Sequence, residues 1–331
     1  MTPSAYVGQY RVGELRVQPS NIQQTHIDIS HARFTSYRNM FSRANDYELY
    51  GIYCWNEALS SALYHLISMT EVVMRNRFHS VLSLHLHCHQ SIGWQDSNDW
   101  YNHINLPQKS VAKIQEVTHT RQRRTGRMIL KNPAPSANDV VSRMTFGFWP
   151  KLLDVPQPWD QLIPMIVPGH RYPTQSHWSV LRNQDALYCR MDLVNKLRNR
   201  IAHFEPIWKQ GDLLEERRPR QGSPAPQIID PAPRTPAQVI ARLRLLHNRT
   251  AEFLKWLSPH RYNDYLSGYV YSHFDWLCTE EGLTAYKSLQ PRIEIPVSRL
   301  KREAHGLIRK KTMVSVIRKG AVIGTYYPII R

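Results

Sequence analysis

The chain has 331 residues, of which 42% are hydrophobic and 10% aromatic, a composition that favours a globular protein with a sizeable core over a disordered one. Its formal net charge of +17 favours a polyanionic partner, because each Lys or Arg that neutralises a phosphate releases a condensed counterion, although charge alone does not separate RNA from DNA or from an acidic protein. The four cysteines show no paired spacing, which argues against a disulfide framework or a zinc site, and no apolar stretch has membrane-spanning length, so we expect a soluble, cytoplasmic protein.

Helical periodicity and a basic cluster organise the first part of the chain. Residues 1–28 lack strong periodicity and are predicted to form an N-terminal arm. From Asp46, apolar residues recur at helical spacing and predict a long helix to about Leu86, with one break at most. Asn105-Leu106-Pro107 is predicted to open a second helix, since proline suits the first helical turn. The far end of that helix is predicted to carry Arg121, Arg123, Arg124 and Arg127. This cluster fits either a nucleic-acid backbone or, more commonly, a solvated charged face.

Capping and breaker residues divide the middle of the chain. Ser136 and Asp139 form a capping pattern that predicts a helix reaching Trp149-Pro150, with nearby aromatic residues filling core space rather than stacking on bases. Residues 211–236 are rich in Pro, Arg, Glu and Gln, and they predict a mobile loop. Thr235-Pro236 then starts a helix that we expect to pack against the helix carrying the motif described next.

The end of one predicted helix carries the most informative residues. An apolar stripe from Leu187 through Ile201, spaced by three and four residues, predicts this helix. Arg198 and His203 stand five positions apart, a step that turns side chains by roughly 140° on a regular helix, so the two cannot converge unless the helix bends or stops. Pro206 supplies the stop, and His203 is therefore expected in the last turn or just after it.

These residue types suit phosphate chemistry. An imidazole titrates near neutrality, so His203 can exchange protons with a ribose hydroxyl or a leaving oxygen. The guanidinium of Arg198 stays charged and can stabilise a pentacoordinate phosphate, while Asn199 can hold a phosphate oxygen or fix a helix terminus. The alternative is that Arg and His merely complement the negative end of the helix dipole, which is the more frequent role of such residues.

Residues 198–207, which read RNRIAHFEPI, resemble the signature of Abi-like abortive-infection proteins, whose HEPN domain carries an Arg, a polar residue, a few spacers and a His. The resemblance spans roughly residues 30–275. Five other stretches also resemble the family and occur in the family's order along the chain: Leu49-Tyr50, Trp55-Asn56, 71–77, 146–149 and Leu257-Ser258-Pro259. The chain departs from the family at Phe204, where a second His is common, and in the added Pro-rich loop.

The resemblance implies an all-α, HEPN-like helical bundle over residues 29–275. The arm of residues 1–28 precedes it, and a basic C-terminal extension follows over residues 276–331. Within that extension, 313–317 and 322–323 read as a small β-hairpin with a basic lead-in, which fits RNA binding and covering of the bundle edge equally well.

The resemblance implies further properties, because members of this family are helical proteins that cut RNA without a metal ion and form the active site from two motifs paired across a dimer. By resemblance, Arg198, Asn199 and His203 carry the chemistry, with no metal and no cofactor. RNA is the expected substrate, a homodimer is the expected assembly, and an antitoxin is a further candidate partner. The secondary candidates near the site are Glu71, Arg75, Arg200 and Glu205. The candidates for nucleic-acid binding are Arg121, Arg123, Arg124, Arg127, Lys310 and Lys311.

Two other groups of residues are weaker candidates for a functional site. The cluster of metal-ligand residue types at His85, His87, Cys88 and His89 has no second pair at zinc spacing, so we do not expect a metal there. Residues 75–79 partly echo the motif at one residue shorter spacing. They favour a structural helix in which Glu71 and Arg75 pair across one turn, although either could face the same cleft as His203.

The sequence therefore predicts a metal-independent endoribonuclease that acts as a toxin in abortive-infection defence and cleaves RNA through the 2′-hydroxyl. The alternative is a non-catalytic RNA-binding protein held with a structured non-coding RNA or an antitoxin. Glycine-rich phosphate loops, nucleophile elbows and two-metal carboxylate clusters are not visible in the sequence, which disfavours kinases, hydrolases of the serine type and metal-dependent nucleases.

Overall fold

A computed structural model describes residues 19–288, 293–296, 299–300, 302, 306, 314–319 and 321–326. The described residues are mostly helical with a few short strands, which confirms the predicted helical fold class. The helices are α1 (Ile22–Ile29), α2 (His31–Met40), α3 (Asp46–Gln90), α4 (Gln108–Thr118), α5 (Ala137–Ser142), α6 (Phe148–Leu152), α7 (Trp159–Ile166), α8 (Gln175–Trp178), α9 (Leu181–Ala202), α10 (Pro236–Leu257), α11 (Pro259–Ser267), α12 (Tyr269–Leu277) and α13 (Glu280–Lys287). The strands are β1 (His119–Arg121), β2 (Met128–Leu130), β3 (Leu213–Leu214), β4 (Ile228–Asp230), β5 (Ile293–Pro296), β6 (Val314–Arg318) and β7 (Ala321–Tyr326).

The chain divides into two units. The first contains residues 1–62, 233–244 and 269–331, and the second contains residues 63–232 and 245–268. Each unit therefore takes a part of α3 and a part of α10.

In the first unit, local capping fixes the start of α3. The Asn45 side chain accepts from the Glu48 amide and the Glu48 carboxylate accepts from the Asn45 amide, so two otherwise unsatisfied amides are bonded. The predicted long helix is confirmed and runs without a break to Gln90. The described end of the predicted N-terminal arm is helical, because Asn21 caps helix α1 (Ile22–Ile29).

The predicted C-terminal hairpin is confirmed as β6 paired antiparallel with β7. The sequence did not reveal β5, which pairs parallel with β6 and completes a three-stranded sheet. The predicted boundary between residues 275 and 276 falls inside α12, so the helical part continues past it. Lys310 and Lys311 lie outside the described residues.

In the second unit, two helices end earlier than the sequence predicts. The basic residues placed at the far end of α4 instead surround an antiparallel hairpin of β1 and β2, because α4 ends at Thr118. The Ser136–Asp139 capping box is confirmed, but its helix ends at Ser142, and a separate helix α6 contains Pro150. The aromatic residues of this stretch fill core space as predicted, namely Phe146, Phe148 and Trp149.

Residues 211–236 form a structured excursion rather than the predicted loop without structure. Strands β3 and β4 pair antiparallel within it. Two of its arginines bond to carboxylates outside the segment: Arg220 donates two 2.6 Å hydrogen bonds to Asp185 of α9, and Arg218 pairs with Asp154. Charge pairing thus holds a segment whose composition cannot bury much apolar surface.

The helix predicted from Thr235-Pro236 is confirmed as α10. It packs against α9 as expected, through Arg190, which donates to the Arg249 carbonyl at 3.0 Å and to Glu252 at 2.8 Å. Within the described part of the chain, every helix is too short or too polar to span a membrane.

Candidate functional site

The carboxyl end of α9 positions the motif through a Schellman cap. His203 is the C-cap residue, with φ −93° and ψ 7°. The Phe204 amide donates to the Ile201 carbonyl and the Glu205 amide donates to the Arg200 carbonyl, both at 3.0 Å, which is the bond pattern of that motif. The helix therefore stops directly before His203, as the sequence predicts, and the stop precedes Pro206 by several residues.

Phe204 takes the left-handed position that this cap requires. Its φ is +55°, a conformation usually reserved for glycine or asparagine, and 69% of its surface is exposed. A bulky residue in this region carries backbone strain of about 1–2 kcal/mol. Strain of this kind tends to occur at functional sites, and here it sits beside the predicted catalytic histidine.

An open cavity of about 760 Å³ lies between α9 and the 211–236 segment. Four of the predicted residues line it together: Asn199, Arg200, His203 and Glu205. The sequence analysis missed the residues that complete the same helix face, which are Tyr188, Asp192 and Lys196. The spacing of these three residues could have revealed them, because they are four positions apart and form one polar stripe on the helix that leads to His203.

The charged groups around this cavity are largely paired with one another. Arg200 contacts Glu205 at 2.8 Å, and Lys196 contacts Asp192 at the same distance. The added segment contributes a third pair on the other side, between Arg217 and Glu215 at 2.7 Å. An incoming phosphate must therefore compete with carboxylates for these cations.

Arg198 of α9 is not among the residues that line this cavity, so the stop of the helix does not bring it to the cavity together with His203. Its Nη1 is 3.5 Å from the Asn199 side-chain oxygen, while its buried Nε has no hydrogen-bond partner among the described residues. Burial raises the pKa of the Glu71 carboxyl on α3 above its ordinary value, and the positive charges of Arg198 and Arg75 act in the opposite direction.

The structure thus separates the predicted site residues into two groups. Arg198 belongs with Glu71 and Arg75, whereas His203 belongs with the open cavity. Arg75 donates to the Ser142 carbonyl at 2.8 Å, so its hydrogen bond goes to α5 and not across one helical turn to Glu71.

The competing constellations lie outside this cavity. His79 is buried and accepts from the Trp100 indole at 2.9 Å, so the histidine of the partial echo on α3 packs in the core. The rings of His85 and His89 lie 4.5 Å apart, and no group of three His, Cys, Asp or Glu residues that could hold a metal occurs among the described residues. Burial raises the pKa of the Cys189 thiol at the cavity to about 11, so this thiol is protonated at neutral pH.

The basic candidates outside the cavity are solvent-exposed. Arg121, Arg123, Arg124 and Arg127 all lie on or beside the β1–β2 hairpin, where the turn holds them away from the core. The guanidinium of Arg121 donates to the Gly126 carbonyl at 3.2 Å, which fixes one of them against the turn.

No curated protein and no solved structure matches the chain. A family model described as "Abi-like protein" matches residues 24–209, which is more than half of the chain and includes the whole motif at the end of α9. The chain therefore belongs to the Abi-like protein family.

Proposed function

We propose that the protein is an endoribonuclease that cleaves RNA without a metal ion and acts as a toxin in abortive-infection defence against phage. Membership of the Abi-like family supports the defence role. The observation that carries the proposed chemistry is the placement of His203, which caps α9 at the rim of an open cavity, with Asn199 and Arg200 on the same wall. In this proposal the helical domain of residues 29–275 is of the HEPN type.

The proposed reaction is a transesterification within the RNA strand. A neutral imidazole of His203 accepts the proton of a ribose 2′-hydroxyl, and the 2′-oxygen forms a bond to the adjacent phosphorus. The bond from phosphorus to the 5′-oxygen breaks, and a protonated imidazole gives its proton to this leaving oxygen. The products are a 2′,3′-cyclic phosphate and a 5′-hydroxyl, and DNA cannot react because it lacks the nucleophile.

We propose that two copies of the chain form the active unit. One histidine cannot act as base and acid in the same step, whereas His203 and the partner's His203 supply one imidazole each. Arg198 and Asn199 then stabilise the pentacoordinate phosphate, while the Glu71 carboxyl attracts the guanidinium of Arg198. Activity that persists unchanged when the protein is diluted to a monomer contradicts this part of the proposal.

The exposed β1–β2 hairpin is proposed to hold the RNA backbone outside the cavity. Replacing Arg123 and Arg124 with glutamine should lower the slope of log affinity against log salt by about 1.4 for single-stranded RNA, at about 0.7 for each lost phosphate contact. Replacing Arg43 and Arg182, which are equally exposed, is the matched control and should leave the slope unchanged. Equal slopes for both double variants would remove the hairpin from the RNA-binding surface.

The catalytic proposal is tested by separating cleavage from binding. We expect His203→Ala to abolish RNA cleavage and cellular toxicity while leaving RNA affinity nearly unchanged, because the imidazole moves protons and contributes little to binding. His260→Ala, which removes an exposed histidine on α11, is the matched control and should keep full activity. Loss of RNA affinity in His203→Ala, without any cleavage by wild type, would favour a non-catalytic RNA-binding protein.

A further inference from the structure

A second cavity, of about 670 Å³, lies beside the amino-terminal half of α9. We call it the aromatic cavity, because five ring side chains line it: His170, Tyr172, His177, Trp178 and Trp256. Its volume lies within the range of small-molecule binding sites. The proposed cleavage reaction uses none of these residues.

The rings contact one another as a set. The Tyr172 and His177 rings are stacked, with centroids 4.7 Å apart, and the His170 ring meets the Trp256 indole edge-on at the same distance. Only Trp178 is fully buried, while Tyr172 is 44% exposed. The rings of His170, His177 and Trp256 are also partly exposed, which leaves ring surface open to a planar ligand.

Hydrogen bonds fix the walls of the aromatic cavity in place. The Gly169 amide donates to the Trp256 carbonyl at 2.9 Å, and a Cβ at position 169 would overlap the Lys255 carbonyl oxygen, so only glycine lets the loop approach α10 this closely. The Trp178 indole donates to the Tyr172 carbonyl at 3.0 Å, which ties the loop to α8. A preformed wall lowers the entropy that binding would cost.

Two cations stand at the edge of the aromatic cavity. In the described part of the chain, neither Arg171 nor Lys255 forms an ion pair, in contrast to the paired cations around the His203 cavity. Arg171 lies 4.6 Å from the centroid of the Tyr172 ring. The third cation, Arg190, is already bonded to Glu216 and Glu252 and stacks on Trp256 at 4.4 Å, so it belongs to the wall.

We propose that the aromatic cavity binds a nucleotide, with its base stacked against the ring side chains and its phosphate held by Arg171 and Lys255. Flat π surfaces accept any nucleobase, and two cations that line the same cavity and form no ion pair among the described residues suit a phosphate. The nucleotide comes either free from solution or as one unit of an RNA strand, since both present the same base and phosphate.

The protonation state of the histidines agrees with this assignment. Burial lowers the pKa of both His170 and His177 below their ordinary value, and the charge of Arg171 acts in the same direction. Both imidazoles are therefore neutral at pH 7, and their rings can stack on a base without bringing an additional charge to the cavity.

Isothermal titration of the full-length His203→Ala protein with AMP, UMP and a short single-stranded ribo-oligonucleotide tests the proposal. In this background, Tyr172→Ala and Arg171→Gln should each weaken binding about tenfold, the expected loss for one stacking or phosphate contact. The matched controls Tyr269→Ala and Arg43→Gln remove exposed residues of the same types and should leave binding unchanged. Thermal unfolding of each variant checks the fold.

The pattern across the ligands identifies the source. Mononucleotide binding that Tyr172→Ala and Arg171→Gln weaken assigns a free nucleotide, while the same loss with the oligonucleotide alone assigns a unit of an RNA strand. Should neither ligand bind, or should the variants bind as well as their controls, the proposal is wrong. Because the titration involves no cleavage, its failure leaves the proposed ribonuclease function untouched.

Discussion

The left-handed backbone at Phe204 makes a prediction whose sign depends on where α9 ends. Replacing Phe204 with glycine removes the strain of a side chain at φ +55°, about 1–2 kcal/mol, and adds about 0.5–1 kcal/mol of backbone entropy cost. Replacing it with alanine keeps the strain. Both variants lose the same aromatic ring, so their difference isolates the backbone. We expect the glycine variant to be more stable than the alanine variant by about 0.5–1 kcal/mol.

Urea unfolding of the two variants measures this difference as a shift in the transition midpoint at constant slope. If α9 continued past His203, the alanine variant would be the more stable one, because glycine inside a helix destabilises a protein by about 1 kcal/mol relative to alanine. An alanine variant that is the more stable of the two would therefore refute the Schellman cap. It would also remove the physical basis for placing His203 at the rim of the cavity.

Two further predictions concern charged groups near α9. Arg190 is 5% exposed and bonds to two carboxylates, so Arg190→Met should destabilise the protein by about 3 kcal/mol. Arg200→Met breaks a solvent-exposed pair and should cost less than about 1 kcal/mol. Comparable losses of stability for the two variants in urea unfolding would contradict this prediction. Burial raises the pKa of Glu71 in the folded state, so ionised Glu71 destabilises the fold at pH values above its pKa in the unfolded chain. Glu71→Gln should therefore be more stable than wild type at pH 7, and this advantage should vanish below about pH 4. An advantage that does not depend on pH would refute the raised pKa of Glu71.

Local sequence signals predicted the elements that local forces determine. The apolar stripe of α9, the stop before Pro206 and the Ser136–Asp139 capping box each depend on residues within a few positions of one another, and each is present.

Long-range pairings explain the errors. The excursion of residues 211–236 has little apolar pattern, and it is held by the ion pairs of Arg220 with Asp185 and of Arg218 with Asp154, which no local signal reveals. Likewise, β1 and β2 form a strand pair with exposed residues on both faces, so the alternation that marks a half-buried strand is missing.

The candidate site was predicted in part. Residue types indicated His203 and Asn199, and Arg200 was a secondary candidate; all three line one cavity. The opposite wall comes from the 211–236 segment, whose approach to α9 is a tertiary contact. The left-handed turn at Phe204 was also unpredictable, because phenylalanine is a poor residue for that conformation and its neighbours impose it.

The central claim is tested most directly by incubating total RNA with purified protein in EDTA and mapping the 3′ ends of the fragments. The account predicts 2′,3′-cyclic phosphate ends with wild type and with His260→Ala, and intact RNA with His203→Ala. Intact RNA in all three reactions, or cleavage that His203→Ala retains, would contradict the assignment of a ribonuclease site to the end of α9.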